Sequence, residues 1–142
     1  MTIAAVLGSK GSAVETIGAG DRLFDAVRRL GEKRIGALPV IDGGGIAGIM
    51  SERDVIYCLR DHGAEALDWP VSKAMSAPAI TAEPSMDVLT ALALMTQRRI
   101  RHLPVVENGR LLGIVSIGDL VKSKISEVEA EADGLKAYIA AS

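Results

Sequence analysis

The chain has 142 residues, 49% of them apolar, which suits one compact domain or two tightly fused halves. Its net charge of −2 gives no electrostatic footprint for nucleic acid, whose backbone demands clustered Lys and Arg. No apolar run is long enough to span a bilayer, so neither a nucleic-acid nor a membrane partner is expected.

In chain order, residues 1–12 read as a lead-in. Beyond them the chain contains itself twice. Shifted by 65 positions, Thr16 falls on Thr81, Arg34-Ile35 on Arg99-Ile100, Leu38-Pro39-Val40 on Leu103-Pro104-Val105, Gly48-Ile49 on Gly113-Ile114, Ser51 on Ser116 and Asp54 on Asp119. No gap is needed between Thr16 and Val121. Each copy opens with a short extended piece, 13–17 or 78–82. A helix follows, capped by Asp21 with Leu23, Val27 and Leu30 on one face, or opened by Pro84-Ser85 with Val88, Leu92 and Met95. Next come a strand (37–41 or 103–106), a turn (42–45 or 107–110), a second strand (46–50 or 111–115), and a helix after Ser51 or Ser116.

The unit is therefore β-α-β-β-α, twice, in an α/β (α+β) chain. Repeat 1 spans 13–62, a linker with a short helix 63–77, repeat 2 78–125, and a helical extension 126–142. One unit has too little core to stand alone, so the two are expected to bury their sheets against each other. In the last helix Val121, Ile125, Val128, Ala132, Leu135 and Ile139 recur at alternating spacings of four and three. That stripe fits docking on the protein's own core or packing against a second chain. Glu127, Glu129, Glu131 and Asp133 read as its solvated face.

Gly43-Gly44-Gly45-Ile46-Ala47-Gly48 matches G-x-G-x-x-G, but it precedes a strand rather than opening a helix, and copy two breaks it; it reads as a hairpin turn. Ser51-Glu52-Arg53-Asp54 and Ser116-Ile117-Gly118-Asp119 follow a strand and open a helix. A capping box explains them locally. Their position, at the carboxyl end of a buried strand, is also where α/β proteins gather ligands. Helix amides and a serine hydroxyl suit phosphate, whereas Asp54 and Asp119 repel it and are better suited to accepting hydrogen bonds from a ribose diol. Arg53 can neutralise a phosphate; Gly118 cannot. The stretches Ile35-Gly36-Ala37-Leu38-Pro39 and Ile100-Arg101-His102-Leu103-Pro104 precede or enter a strand at a proline, which cannot donate to a ladder. Their backbone could read an adenine edge with Ile35 or Ile100 against its face; the plainer reading is a strand start packed in the core. Arg98, Arg99, Arg101 and His102 could meet phosphates or form a solvated basic patch.

His62 and His102 are too few and too far apart for a metal site. Cys58, the single cysteine, has no evident base beside it and cannot form an internal disulfide. With an N-terminus unlike a secretory signal, it points to a reducing cytoplasm. No P-loop or Ser-His-Asp order stands out, so an enzyme is not expected.

These residues resemble a tandem pair of cystathionine-β-synthase (CBS) domains, a Bateman module, over roughly residues 10–125, in a stand-alone, bacterial-type form. The resemblance implies two repeats packed through their sheets with pseudo-twofold symmetry and two clefts between them. It implies ligands such as AMP, ADP, ATP, NAD(H) or S-adenosylmethionine, a homodimer, and a regulated protein partner. By position, Asp54 and Asp119 would hold ribose hydroxyls, Ser51 and Ser116 ribose or phosphate, Thr16 and Thr81 the nucleoside, and residues 35–39 and 100–104 the base. The expected function is an adenine-nucleotide-binding sensor whose two clefts differ in ligand preference. The alternative is an interaction adaptor without a physiological ligand.

Overall fold

The computed structural model describes residues 1–11 and 13–141; Ser12 and Ser142, which end the expected lead-in and extension, lie outside the described residues. The elements run α1 (Ile3–Lys10), β1 (Ile17–Gly18), α2 (Leu23–Lys33), β2 (Ala37–Asp42), β3 (Gly45–Ser51), α3 (Glu52–His62), a 3₁₀ turn (Gly63–Asp68), α4 (Val71–Ala74), α5 (Val88–Arg98), β4 (His102–Glu107), β5 (Arg110–Ser116) and α6 (Ile117–Ala141). The chain is an α/β protein with two small sheets, β1-β2-β3 and β4-β5. From α2 onward each repeat places its elements in the same register.

Local chemistry explains that register. Both β-hairpins turn on two consecutive left-handed residues, Gly43-Gly44 (φ 60° and 85°) and Asn108-Gly109 (φ 51° and 75°). Such turns match the twist of the flanking strands and favour Gly and Asn, so the glycine run is a hairpin turn. Both hairpins carry an irregularity one residue past the proline, at Val40/Ile41 and Val105/Val106. Both first helices end on a left-handed arginine, Arg34 (φ 53°) and Arg99 (φ 55°). The next amides close the cap, Ile35 N–H onto Leu30 O at 3.1 Å and Ile100 N–H onto Met95 O at 3.0 Å.

The helix starts differ from expectation. Asp21 does not cap α2: its Oδ2 accepts from Gly18 N–H at 2.8 Å and closes the preceding turn, while Arg22 occupies the cap position. The second copy opens at Asp87, whose carboxylate accepts from Leu89 N–H at 3.0 Å, rather than at Pro84-Ser85. The extended pieces are short: β1 covers only Ile17–Gly18, and its counterpart is a single parallel bridge, Ala82 to Val105.

Two apolar clusters form the core. The first joins Ile17, Leu23, Leu30, Leu38, Val40 and Met50 to Ala66, Val71 and Ala74 of the linker. The second joins Val88, Met95, Leu103, Val105, Val115 and Leu120 to Ile3, Val6 and Leu7 of α1. The segment that precedes each repeat thus packs on the other one. Ile3 N–H donates to Met86 O and Ala4 N–H to Pro84 O, both at 2.9 Å, just as Val71 N–H donates to Asp21 O (2.7 Å) and Ser72 N–H to Ala19 O (3.0 Å). This correspondence, residue 3 with 71, runs at a shift of 68 rather than 65. Residues 3–10 are therefore structural, where the sequence suggested only a lead-in.

Candidate nucleotide cleft

The strand-to-helix corner at Ser51 is built by a reciprocal cap. Ser51 Oγ accepts from Asp54 N–H at 3.2 Å and donates to Asp54 Oδ2 at 2.9 Å, and the same Oδ2 accepts from Ser51 N–H at 2.9 Å. The negative side chain sits in the first turn of α3, where the helix dipole favours it. Its second oxygen, Oδ1, accepts from Ser76 Oγ at 2.8 Å. Ser76 is fixed in turn by a two-way backbone bridge to Ile49, 2.9 Å each way. A cavity of about 370 Å³ opens beside this corner. Repeat 1 contributes Gly36, Ile49, Ser51, Glu52, Arg53, Asp54 and Tyr57; the linker and repeat 2 contribute Ser76, Pro78, Ile80, Arg99, Ile100, Arg101 and His102. Arg53 ties the sides together by donating to Arg99 O at 3.1 Å.

The corner at Ser116 repeats the cap, with Asp119 N–H on Ser116 Oγ (3.1 Å) and Ser116 N–H on Asp119 Oδ2 (2.8 Å). Its surroundings differ. Where the linker chain leaves α4 and bridges to β3, α1 continues as helix, and Lys10 Nζ lands 2.6 Å from Asp119 Oδ2 and 2.8 Å from Ile114 O. Burial alone would raise the Asp119 pKa; the Lys10 ammonium and the Ser116 donors outweigh it and hold the carboxyl below its usual value. A hollow of about 430 Å³ borders Asp119, but between α1 and α6, lined by Ser9, Lys10, Lys122 and Ser126 among others, with no residue of repeat 1 past α1.

The CBS domain family profile matches residues 11–61 and 71–126. The chain belongs to the CBS domain family. It is 35% identical over 147 residues to the mitochondrial CBS domain-containing protein CBSX3 of Arabidopsis thaliana, covering 97% of this chain and 71% of that one. Among solved structures it is similar to the CBS-domain-containing protein ATU1752 of Agrobacterium tumefaciens (37% identity, TM-score 0.83, 87% of this chain and 92% of that one). It also shares the fold of the CBS domain pair of protein MJ0100, solved in complex with 5′-methylthioadenosine and S-adenosyl-L-methionine (22% identity, TM-score 0.79, 89% and 98% coverage). CBS domain pairs are regulatory modules.

Within this CBS pair the sequence-derived site residues divide. Gly36, Ser51, Arg53, Asp54, Ile100, Arg101 and His102 meet at one cleft. Ala37, Leu38, Pro39, Leu103 and Pro104 are buried in the strands, on both faces, and are not among the residues lining the cleft at Ser51. Thr16 is half-buried, its carbonyl accepting from the Arg29 guanidinium, and Thr81 is exposed away from the cleft. Ile35 packs on the first core. Ser116 and Asp119 meet Lys10, and the hollow that borders Asp119 is lined from α1 and α6. Gly36 O and Arg101 O, two carbonyls expected to read a base, instead accept from Glu52 N–H (3.0 Å) and Ile117 N–H (2.8 Å), anchoring α3 and α6.

Tyr57, Ser76, Pro78 and Ile80 were not foreseen as cleft residues. Ser76 lies in the linker and Pro78 opens repeat 2 ahead of Thr81, where the gapless match begins, so periodicity gave no cue to either. His102 meets Gly36 so closely that a Cβ there would lie 2.9 Å from the imidazole, so a side chain at this position would displace the ring from its place across the repeats. Burial first, then Arg101 and Lys10, push the His102 pKa below its ordinary value, against the opposing pull of Glu52 and Asp119. Burial, aided by Asp54 and Asp61, pushes the Cys58 thiol up, away from the nucleophilic thiolate.

Proposed function

We propose that the cleft between the repeats binds one adenosine-containing ligand per chain, and that the protein acts as a regulatory sensor rather than an enzyme. The observation carrying this reading is the cavity at which Asp54, Ser51 and Ser76 converge with three arginines and an apolar lining. Asp54 Oδ1 already accepts one hydroxyl, from Ser76 at 2.8 Å; a ribose hydroxyl is the same kind of donor. Arg53, Arg99 and Arg101 supply the fork-shaped cations that suit phosphate. Ile49, Ile80, Ile100 and Pro78 supply flat apolar contact for a base. The 370 Å³ cavity falls within the usual range for small-ligand sites, roughly 300–1,000 Å³. The adenosyl ligands of the MJ0100 pair support the class. AMP, ADP, ATP, NAD(H) and S-adenosylmethionine are the candidates, with the phosphate-bearing ones favoured by the arginines. A regulated protein partner and a cytoplasmic setting belong to the same proposal.

Calorimetric titration of ligand-free protein with these five compounds tests it. At least one is expected to bind with a stoichiometry near one. Absence of heat from all five, together with no rise in melting temperature, overturns the reading.

A further inference from the structure

One acceptor and one donor side chain meet in the wall of the cleft from opposite repeats. Glu52 is the first residue of α3 and His102 the first of β4. Both reach Gly36: a Cβ built there would lie 3.4 Å from Glu52 Oε1 and 3.0 Å from His102 Nε2. Both line the cavity. Among the described residues, neither the carboxylate nor the imidazole has a hydrogen bond or an ion pair. The repeat does not preserve the pair. At the shift of 65, Glu52 falls on Ile117 and Ala37 on His102. The serine and aspartate that cap a helix occur at both corners, whereas Glu52 and His102 occur at one, and the cap does not use them. Backbone groups at the two strand entries are already engaged. Gly36 O accepts from Glu52 N–H, Arg101 O accepts from Ile117 N–H, and Ile100 N–H donates to Met95 O. Polar recognition from this wall falls to the side chains.

We propose that Glu52 and His102 read the edge of the ligand's base and select adenine over 6-oxopurines. The inference rests on the cleft holding an adenosine-containing ligand, and adds which side chains set the choice of base. Adenine presents an amino group, a donor, beside a ring-nitrogen acceptor. A carboxylate only accepts, and a neutral imidazole carries one N–H to donate. Burial and Arg101 lower the His102 pKa and keep the ring neutral at pH 7. Glu52 accepts from the amino group, and His102 donates to the ring nitrogen. Hypoxanthine carries a carbonyl oxygen in place of the amino group. That oxygen offers Glu52 no proton and sets two acceptors face to face, which leaves the carboxylate unpaired.

Calorimetric titration of the full chain with two pairs of nucleotides, AMP with IMP and ATP with ITP, tests it, with circular dichroism as the control for folding. The wild type is expected to bind the adenine member of a pair at least about tenfold more tightly. Glu52→Gln places an amide N–H where the carboxylate stood, so it is expected to gain affinity for the inosine nucleotide and bring the ratio within about threefold of one. For His102, 1-deaza-AMP and 7-deaza-AMP each lack one ring acceptor. One of them is expected to bind the wild type about tenfold more weakly than AMP, and that deficit is expected to vanish in His102→Phe. Equal binding within the pairs by the wild type, an unchanged ratio in Glu52→Gln, or a deaza deficit that persists in His102→Phe overturns the proposal while leaving nucleotide binding intact. No heat from AMP or ATP overturns it as well, and the reading beneath it falls with it only if NAD(H), ADP and S-adenosylmethionine are also silent.

Discussion

Lys10 Nζ lies 2.6 Å from Asp119 Oδ2, joining residues 109 positions apart. The pair makes the two halves of a repeated chain unequal. Both corners carry the same serine and aspartate in the same cap. At one, the outer carboxylate oxygen faces a cavity and a serine hydroxyl; at the other, the carboxylate is held by an ammonium from the exchanged N-terminal helix. The cause lies in how far each exchanged helix runs. Residues 71–74 make one turn before the chain bridges to Ile49, whereas α1 continues to Lys10.

Replacing Lys10 with Ala is expected to raise the Asp119 pKa, since burial would then act with less opposition. The sign follows from linkage: a carboxyl depressed in the folded state stabilises the protein above 3.8, its unfolded value, and that stability is lost as pH falls through the folded value. The variant should therefore begin acid unfolding at a higher pH. At pH 7 the loss should stay within about 1 kcal/mol, because both side chains are about a third exposed, at 34% and 27%. Carbon-detected titration of the Asp119 carboxyl, with urea unfolding, checks both; an unchanged Asp119 titration contradicts the expectation.

The asymmetry predicts unequal effects on binding. Asp54→Asn keeps an acceptor for the cap but removes the charge facing the cavity, and should weaken the ligand by about tenfold or more, the usual scale for a charged hydrogen bond. Asp119→Asn, at the Lys10 corner, should leave affinity unchanged within about twofold. Parallel calorimetry of both variants separates the cases: equal losses would mean that both corners hold ligand.

Much of this was legible because it is local. The shift of 65 exposed the repeat, and both hairpins follow from paired Gly or Asn residues that tolerate left-handed backbone. The helix starts were read one to three residues early because Asp21 and Ser85 are good caps in isolation. Asp21 is instead engaged by Gly18, and Asp87 supplies the second cap. The exchange of α1 was not legible. Its match to residues 71–76 is carried by backbone hydrogen bonds at a different shift, with little side-chain likeness beyond Ile3 and Val71. Ser51 and Asp54 could be found from their pattern. That Asp119 is held by Lys10 could not, since the lysine arrives from outside the gapless repeat.

His102 gives the cleft a pH dependence. Its pKa is depressed by burial and by Arg101, so the folded protein binds its proton less readily than the unfolded chain. Stability should accordingly fall as pH drops below 6.5, until the folded value is passed. A phosphate-bearing ligand beside His102 would favour the imidazolium, so affinity should rise over the same window. His102→Gln should flatten both profiles. Binding curves at pH 5.5, 6.5 and 7.5 that superimpose for wild type would remove His102 from the ligand's surroundings.

The two equivalent glycines facing the exchanged helices offer a last test. A Cβ on Gly48 would lie 2.5 Å from Ser76 O, a backbone atom pinned by its bridge to Ile49, whereas one on Gly113 would lie 2.9 Å from Leu7 Cδ2, the end of a rotatable side chain. Gly48→Ala is expected to cost about 2–3 kcal/mol, since backbone must move, and Gly113→Ala about 1 kcal/mol. Displacing Ser76 also moves the hydroxyl that faces Asp54 Oδ1, so Gly48→Ala should weaken the ligand while Gly113→Ala should not. Urea unfolding and calorimetry on the same two proteins read both effects. If Gly48→Ala loses stability but keeps full affinity, Ser76 does not shape the site, and the geometry of the cleft must rest on Ser51, Asp54 and the arginines alone.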